Sequence, residues 1–405
     1  MEKRIYLSAP ALVCCAGLDR YELYESCLTG SQSGFTMRDP SGKYPVGYIN
    51  NLPPETGERF PSDHTAVCIE NTKIIKIIDA ALNQLRPVVE KAILKYGHDR
   101  IGVCLGSCDI GSETVFLAER LLKEKNISPK DLNLQFRSAS FSAEYITKKF
   151  GISGPAFTVA NVCASGASAI MRAAELIRSG FCDAVIAGGA DAVTESVFAG
   201  FSSLDAVSDT LTNPFSKNRK GLNLGEGAAF FLLDSEKNSD IELLGAGESV
   251  DASHMTAPGT DGVGPAKAMK AALLDAGIEA DKIGYVNLHG TGTELNDKAE
   301  ALAMKIVFKE SYPSYPPVSS TKPITGHALG ATGALEAAIC WMILNEKDNS
   351  GLNPKGLPKH CWDGINDEEA PFSPPDNSGF ETPSICMSNN FGFGGCNVSL
   401  IFGRC

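Results

Sequence analysis

The stretch Thr158–Ile170, TVANVCASGASAI, sets one cysteine between a short apolar run and a segment of small residues able to begin a helix. Ala167, Ile170, Met171, Ala174 and Ile177 recur at helical spacing, so Cys163 falls at or just before the first turn of a core-facing helix. A helix N-terminus offers unpaired N–H donors and the positive end of the peptide dipole. Both stabilise a thiolate and can bind the oxyanion of an attacked carbonyl. Ala164, Ser165 and Gly166 leave room for a substrate. A small buried thiol fits the same stretch, because free cysteine is among the most buried residue types.

Around this stretch, apolar strand-like runs alternate with helical patterns. Residues 100–106, 182–190, 228–233, 241–247, 283–290 and 398–403 read as buried strands, and Lys267–Gly277 as an amphipathic helix closed by a glycine. The class is α/β. At 405 residues the chain exceeds what one hydrophobic core usually serves, which predicts two domains or a fused double unit. The polar turn DSEKNSD at 234–240 marks the boundary, giving halves 1–236 and 237–405, although no exact repeat is visible. The Pro-, Asn-, Asp- and Ser-rich zone 347–382 reads as a surface excursion with little chemistry. Ile5 and Leu7 alternate as a first core strand, and Ser8 and Pro10 break what would otherwise resemble a signal peptide.

The formal charge of −12 disfavours nucleic acid or an anionic membrane as partner, and no apolar run is long enough to span a bilayer. Thirteen irregularly spaced cysteines, one left over from any pairing, suit reduced thiols of a cytoplasmic protein. Cys14-Cys15, Cys104 and Cys108 lack companions at zinc-ligand spacing, so no metal is expected.

Three further stretches stand out. VNLHGTGTELND puts His289 at a strand end before a glycine turn, and SSTKPITGHALGATGALE puts His327 beside Gly326 ahead of a helix apolar on nearly all sides. Pro323 is expected to hold Lys322 extended and so aim its charge. NNFGFGGCN reads as a glycine turn before a buried strand, presenting backbone N–H groups and a ring to a ligand. Each histidine, taken alone, also suits a satisfied turn or core position.

In this order, and with NPFSKNRKGLNLGEGAA between them, these stretches resemble the β-ketoacyl-[acyl carrier protein] synthases over nearly the whole chain. The resemblance implies the thiolase-like fold, two related halves in a five-layer α-β-α-β-α arrangement, and a dimer. It implies that Cys163 is the nucleophile, that His289 and His327 are the paired histidines, and that Lys322 and Glu336 support them. It gives Phe393 the gate, its N–H sharing an oxyanion hole with that of Cys163. Thr291, Thr293, Phe391 and Asp109 become substrate contacts. No cofactor is permanently bound in such enzymes; substrates arrive on the 4'-phosphopantetheine of acyl carrier protein.

The implied chemistry explains the residue types. A thiolate takes an acyl group from a thioester, and a malonyl thioester then loses CO2 to give an enolate. Two imidazole N–H groups hold that charge without a metal, each such donor being worth roughly 3 kcal/mol. His327 after Gly326 with Lys322 upstream points to elongating synthases. The intact Cys163 separates the chain from the alternative of a non-catalytic chain-length-factor subunit, whereas a coenzyme A thiolase, the other alternative, would use a second cysteine and coenzyme A. Short matches at 201–215, 243–258 and 391–403 resemble the ketosynthases of bacterial aryl polyene clusters, which can pair with a chain-length-factor-like partner. In 102–112, Asp109 stands where housekeeping enzymes carry an aliphatic gate to the acyl pocket, a contact ill-suited to a saturated chain. Lys73, Lys76, Lys217, Arg219 and Lys220 are the candidate basic contacts for an acidic carrier protein.

Overall fold

A computed structural model describes residues 3–37, 42–52, 72–109, 140–308, 315–345, 356–368 and 381–405, with 112, 116, 123 and 124 as isolated positions. Its strands are β1 (Tyr6–Leu7), β2 (Ala11–Cys14), β3 (Ile101–Gly106), β4 (Ala156–Val159), β5 (Ala184–Asp191) and β6 (Gly227–Asp234) in the first part of the chain. They continue as β7 (Ile241–Val250), β8 (Tyr285–Asn287), β9 (Val318–Ser319), β10 (Ile385–Gly392) and β11 (Cys396–Arg404). The helices that matter for the site are α1 (Arg20–Thr29), α2 (Lys73–Tyr96), α3 (Phe141–Phe150), α4 (Ser165–Arg178), α5 (Glu195–Ser203), α6 (Val263–Ala276), α7 (Glu294–Phe308), α8 (Lys322–Thr325) and α9 (Thr332–Leu344).

The strand order is β4-β3-β5-β6-β1-β7-β11-β10-β8-β9, with β2 on β6. Counted from β2 and from β7, each set of strands lies in the order third, second, fourth, fifth, first. The topology is therefore repeated although the sequence shows no exact repeat. Among the described residues the two-residue β1 is the strand that joins the sets, Tyr6 pairing with Asp234 on one side and Glu242 on the other.

Strand periodicity builds the layers. In β6, Ala229, Phe231 and Leu233 face one apolar cluster while Ala228, Phe230 and Leu232 face another, as expected for a strand covered on both faces. The first cluster holds α4 and α9, the second α2 and α3, and a third gathers α6 and α7 against β8 and β10. α4 and α9 thus lie in the layer between the two sets of strands, with α2 and α3 outside one set and α6 and α7 outside the other, which is the expected α-β-α-β-α layering. Every residue of α9 is buried, so a helix without a polar face suits this central layer.

The two central helices begin alike. Val162–Ala164 and Leu329–Ala331 are each a single 3-10 turn running into a helix at Ser165 and Thr332. Val162 and Leu329 both take a positive φ, 50° and 52°. VCASGA at 162–167 therefore superposes in role on LGATGA at 329–334. The helices meet through glycine: a Cβ on Gly166 would lie 2.6 Å from the Gly330 oxygen, and one on Gly333 2.7 Å from the Ala167 nitrogen.

Two expectations are corrected. Asn389–Gly392 is the end of strand β10, and the glycine turn is confined to Phe393–Gly395. Of the zone 347–382, residues 356–368 and 381–382 are described. The first of these is pinned down rather than loose: Leu357 is buried, the Tyr24 hydroxyl donates to the Gly356 carbonyl at 2.6 Å, and the Lys359 N–H donates to Cys27.

Gly166→Val should cost about 1–3 kcal/mol through overpacking of the central layer. A lowered Tm with reduced accessibility of Cys163 to alkylation would register it; an unchanged Tm would show that the helices can separate freely.

Candidate active site

Cys163, more than a hundred residues from either histidine along the chain, lines one cavity of about 530 Å³ together with His289 and His327. Thr291, Thr293, Phe391 and Phe393 line it too, as do Arg219 and Lys220. At its floor Cys163, His289 and His327 are 2%, 1% and 1% exposed, whereas Leu204, Asp205, Lys220, Glu294 and Leu295 at its rim are exposed. The floor is dry and the mouth is wet.

Cys163 sits in the 3-10 turn just before α4, as helical spacing required. The strained Val162 ahead of it is held by its carbonyl, which accepts from the Cys108 thiol at 2.6 Å and from the Ser165 hydroxyl. The Phe393 N–H points at the Cys163 sulfur, and a Cβ on Gly392 would lie 3.3 Å from the Cys163 nitrogen. Main-chain amides of Cys163 and Phe393 thus converge beside the thiol. Gly394 and Gly395, both at φ 75°, make this close turn possible.

Burial, however, outweighs these donors: it pushes the Cys163 thiol up to about 12, against the opposing pull of Lys322 and the Phe393 amide. The stabilisation that a helix N-terminus offers a thiolate is thus present here but outweighed. Helix-end stabilisation is modest, and desolvation in a closed apolar site is larger.

The histidines are fixed by their Nδ1 atoms. The Leu329 N–H donates to His327 Nδ1 at 3.1 Å, and Lys322 Nζ lies 3.4 Å from His289 Nδ1. A lysine can only donate, so in both rings Nδ1 accepts and the proton resides on Nε2. The rings are 5.7 Å apart and nearly perpendicular. Burial first, then the charge of Lys322, pushes His327 down to about 3 and His289 well below the usual imidazole range. Both are therefore neutral N–H donors at physiological pH.

Lys322 is 1% exposed and begins the short helix α8 rather than an extended segment, because proline is tolerated in a first helical turn. Its Nζ donates to Glu336 Oε1 at 2.6 Å and to the His289 carbonyl. Burial raises Glu336 to about 7 in spite of this partner.

Other expected contacts fall elsewhere. Asp109 does not line the cavity; its carboxylate accepts from the Ser112 N–H at 2.9 Å and the Thr194 hydroxyl at 3.3 Å. Residues 110–111 and 113–115 beside it lie outside the described residues. Lys73 pairs with buried Glu226 at 2.7 Å, and neither it nor Lys76 lines the cavity. Arg219 pairs with Asp367, Lys220 lies 3.7 Å from Asp209 and Lys217 is exposed. The Thr291 and Thr293 hydroxyls bond each other at 2.8 Å.

Several residues escaped the sequence reading. Phe201 stacks on Phe393 at 5.6 Å and approaches His327, with no pattern to announce it. Glu300 accepts the N–H groups of His289 and Gly290 at 2.8 and 2.7 Å, while Asp297 accepts those of Phe215 and Gly292. Their signal was an acidic pair three apart on a helix face otherwise made of buried apolar residues. Asp191 binds the Cys108 and Asp109 amides and that of Gly330, tying the Cys163 side of the site to the His327 loop. Among the described residues no group of His, Cys, Asp and Glu is arranged to hold a metal.

Because the thiol titrates near 12, alkylation of Cys163 by iodoacetamide should rise about tenfold per pH unit from about pH 7 to 9. Peptide mass spectrometry against pH measures this, and a plateau below about pH 8 would mean a thiolate already formed.

Residues 70–239 match the family described as Beta-ketoacyl synthase, N-terminal domain, and residues 241–348 match Beta-ketoacyl synthase, C-terminal domain. The 3-oxoacyl-[acyl-carrier-protein] synthase 2 of Vibrio cholerae is 36% identical over 322 residues, 75% of this chain and 76% of that protein. The enzyme of the same name from Staphylococcus aureus is 34% identical over 75% of this chain and 77% of its own. A chain in the complex of the ketosynthase ApeO with its chain length factor ApeC, from Xenorhabdus doucetiae, superposes with a TM-score of 0.84 at 33% identity. That alignment covers 100% of this chain and 98% of the other. With the thiolase-like layering, the gathered cysteine and histidines and these matches in both parts of the chain, the protein belongs to the beta-ketoacyl synthase family.

Proposed function

We propose that the protein is an elongating ketosynthase, with 1–236 carrying the nucleophile and 237–405 the two histidines and the lysine. In the first half-reaction Cys163 Sγ attacks the carbonyl of an acyl thioester on acyl carrier protein. The oxyanion is held by the Cys163 and Phe393 amides, and the carrier thiol departs with the proton that the cysteine gives up. In the second, a malonyl thioester loses CO2. Its enolate oxygen is held by the Nε2–H groups of His289 and His327, and its carbon attacks the acyl-Cys163 carbonyl. That attack forms the new carbon–carbon bond, and collapse of the tetrahedral adduct breaks the carbon–sulfur bond and expels the Cys163 thiolate, which takes a proton from water.

The observation that carries this reading is the pair of neutral imidazoles whose Nδ1 atoms are both occupied, leaving Nε2–H as the donor each offers beside the thiol. Lys322 and Glu336 are positioning groups: the lysine fixes the His289 tautomer and the carboxylate fixes the lysine. Thr291 and Thr293, at the cavity wall, suit hydrogen bonding to the phosphopantetheine arm of the carrier, and Phe391 and Phe393 suit apolar contact with the acyl group. Asp109 stays a candidate for the far end of the acyl chain. Lys217 and Lys220, exposed at or beside the mouth, suit docking of acidic acyl carrier protein better than Lys73, paired with Glu226, or Arg219, whose largely buried side chain is paired with Asp367.

For the pathway, similarity to a chain of the ApeO–ApeC complex supports aryl polyene or related polyketide elongation with a chain-length-factor-like partner. Identity to the 3-oxoacyl-[acyl-carrier-protein] synthases 2 favours, as the second reading, fatty acid elongation by a homodimer. A cytoplasmic location fits both; among the described residues no helix is long and apolar enough to cross a membrane.

Incubation with acyl carrier protein should add the acyl mass to Cys163, and Cys163→Ala should abolish the adduct. His289→Ala and His327→Ala should keep acylation yet lower malonyl decarboxylation by about 100- to 1,000-fold. Acylation at another residue, or decarboxylation indifferent to both histidines, would refute the assignment.

A further inference from the structure

We propose that His360 is a positioning residue of the condensation half-reaction, acting through Ser320 on Lys322 and on the turn that carries His289. The inference rests on the ketosynthase reading above. His360 belongs to the segment 356–368, which the sequence presented as an excursion with little chemistry. Its Nδ1 accepts the Ser320 N–H at 3.1 Å, and its Nε2 lies 3.2 Å from the Pro214 carbonyl. A carbonyl can only accept, so Nε2 donates and Nδ1 receives: one neutral tautomer satisfies both partners. Burial holds it in that form, pushing its pKa down to about 4. The ring is wedged between Phe215, at 6.1 Å, and Trp362, at 5.6 Å.

What the ring holds leads straight to the site. The Ser320 hydroxyl donates to the Gly290 carbonyl at 2.7 Å and accepts the Lys322 N–H at 3.4 Å. Gly290 follows His289, and its contact with Ser320 is tight: a Cβ there would stand 2.6 Å from that of Ser320. On the other side, Pro214 precedes Phe215, whose N–H is held by Asp297, the same carboxylate that receives the Gly292 amide. His360 thus clamps both flanks of the His289–Thr293 turn and sets the start of the helix from which Lys322 reaches His289. Cys163 is carried by different elements, so the two half-reactions should respond differently.

The ring's two bonds can be separated. In His360→Asn the amide oxygen stands near the place of Nδ1 and can still accept from Ser320, but the side chain falls short of Pro214. His360→Gln reaches Pro214 and leaves Ser320. Wild-type protein is first assayed for Cys163 acylation by mass spectrometry and for malonyl decarboxylation, which tests the ketosynthase reading by itself. The clamp then predicts that His360→Asn decarboxylates within about threefold of wild type. His360→Gln should lose about tenfold to 100-fold, as expected for small misplacement of a catalytic group, with acylation unchanged in both. Ser320→Ala should show the same selective loss, and combining it with His360→Gln should add little further. Equal losses in both half-reactions, a fully active His360→Gln, or additive effects of the two substitutions would overturn the proposal.

Discussion

The site depends on how one buried amine distributes its protons. Lys322 Nζ has three to give, and three acceptors surround it: the His289 carbonyl, His289 Nδ1 and Glu336 Oε1. The first two orient the imidazole and decide which nitrogen keeps its hydrogen. The third comes from α9, in the central layer, so the tautomer at the end of β8 is coupled to a helix that packs directly against the one following Cys163. Taking such a pair out of water is costly, and removing one partner strands the other, typically at 3–5 kcal/mol.

The same dryness acts on the three reactive groups in chemically opposite directions. It removes charge from both imidazoles, which makes them better suited to donate to a developing enolate. It also removes charge from the cysteine, which makes the resting sulfur a poor nucleophile. The protein meets the second effect with the Phe393 amide and the field of Lys322, which lower the thiol's pKa without offsetting its burial. A nucleophile kept protonated until a thioester arrives is also shielded from stray electrophiles, since the reactive form of cysteine is the thiolate.

Much of this was legible in the sequence, for identifiable reasons. Cys163, His289, His327 and Lys322 stood out because each lay in a run of glycine and small residues that ordinary packing does not require, and buried strands declared themselves by unbroken apolar runs. The backbone of Lys322 was misjudged because proline's constraint on its predecessor was applied without its tolerance in a first helical turn. Asp191 and His360 were not legible for a different reason. Their partners are main-chain amides and carbonyls brought up from remote elements, and backbone groups leave no mark in sequence. Phe201 was hidden because a lone aromatic reads as core until the fold shows its ring against Phe393. Lys73 looked like a surface charge because Glu226, its partner, lies 153 positions later.

The doubled corner ahead of the central helices bears on how strain should be interpreted here. A β-branched residue forced into left-handed backbone directly before a catalytic sulfur invites the view that the distortion serves reactivity. Yet Leu329 adopts the same geometry, and the position after it is Gly330, which has no side chain and merely offers its amide to Asp191. The distortion is therefore common to both corners, ahead of two helices that approach each other at Gly166 and Gly333. A thiol stands on one corner and a bare glycine on the other, so the kink does not by itself call for a reactive side chain.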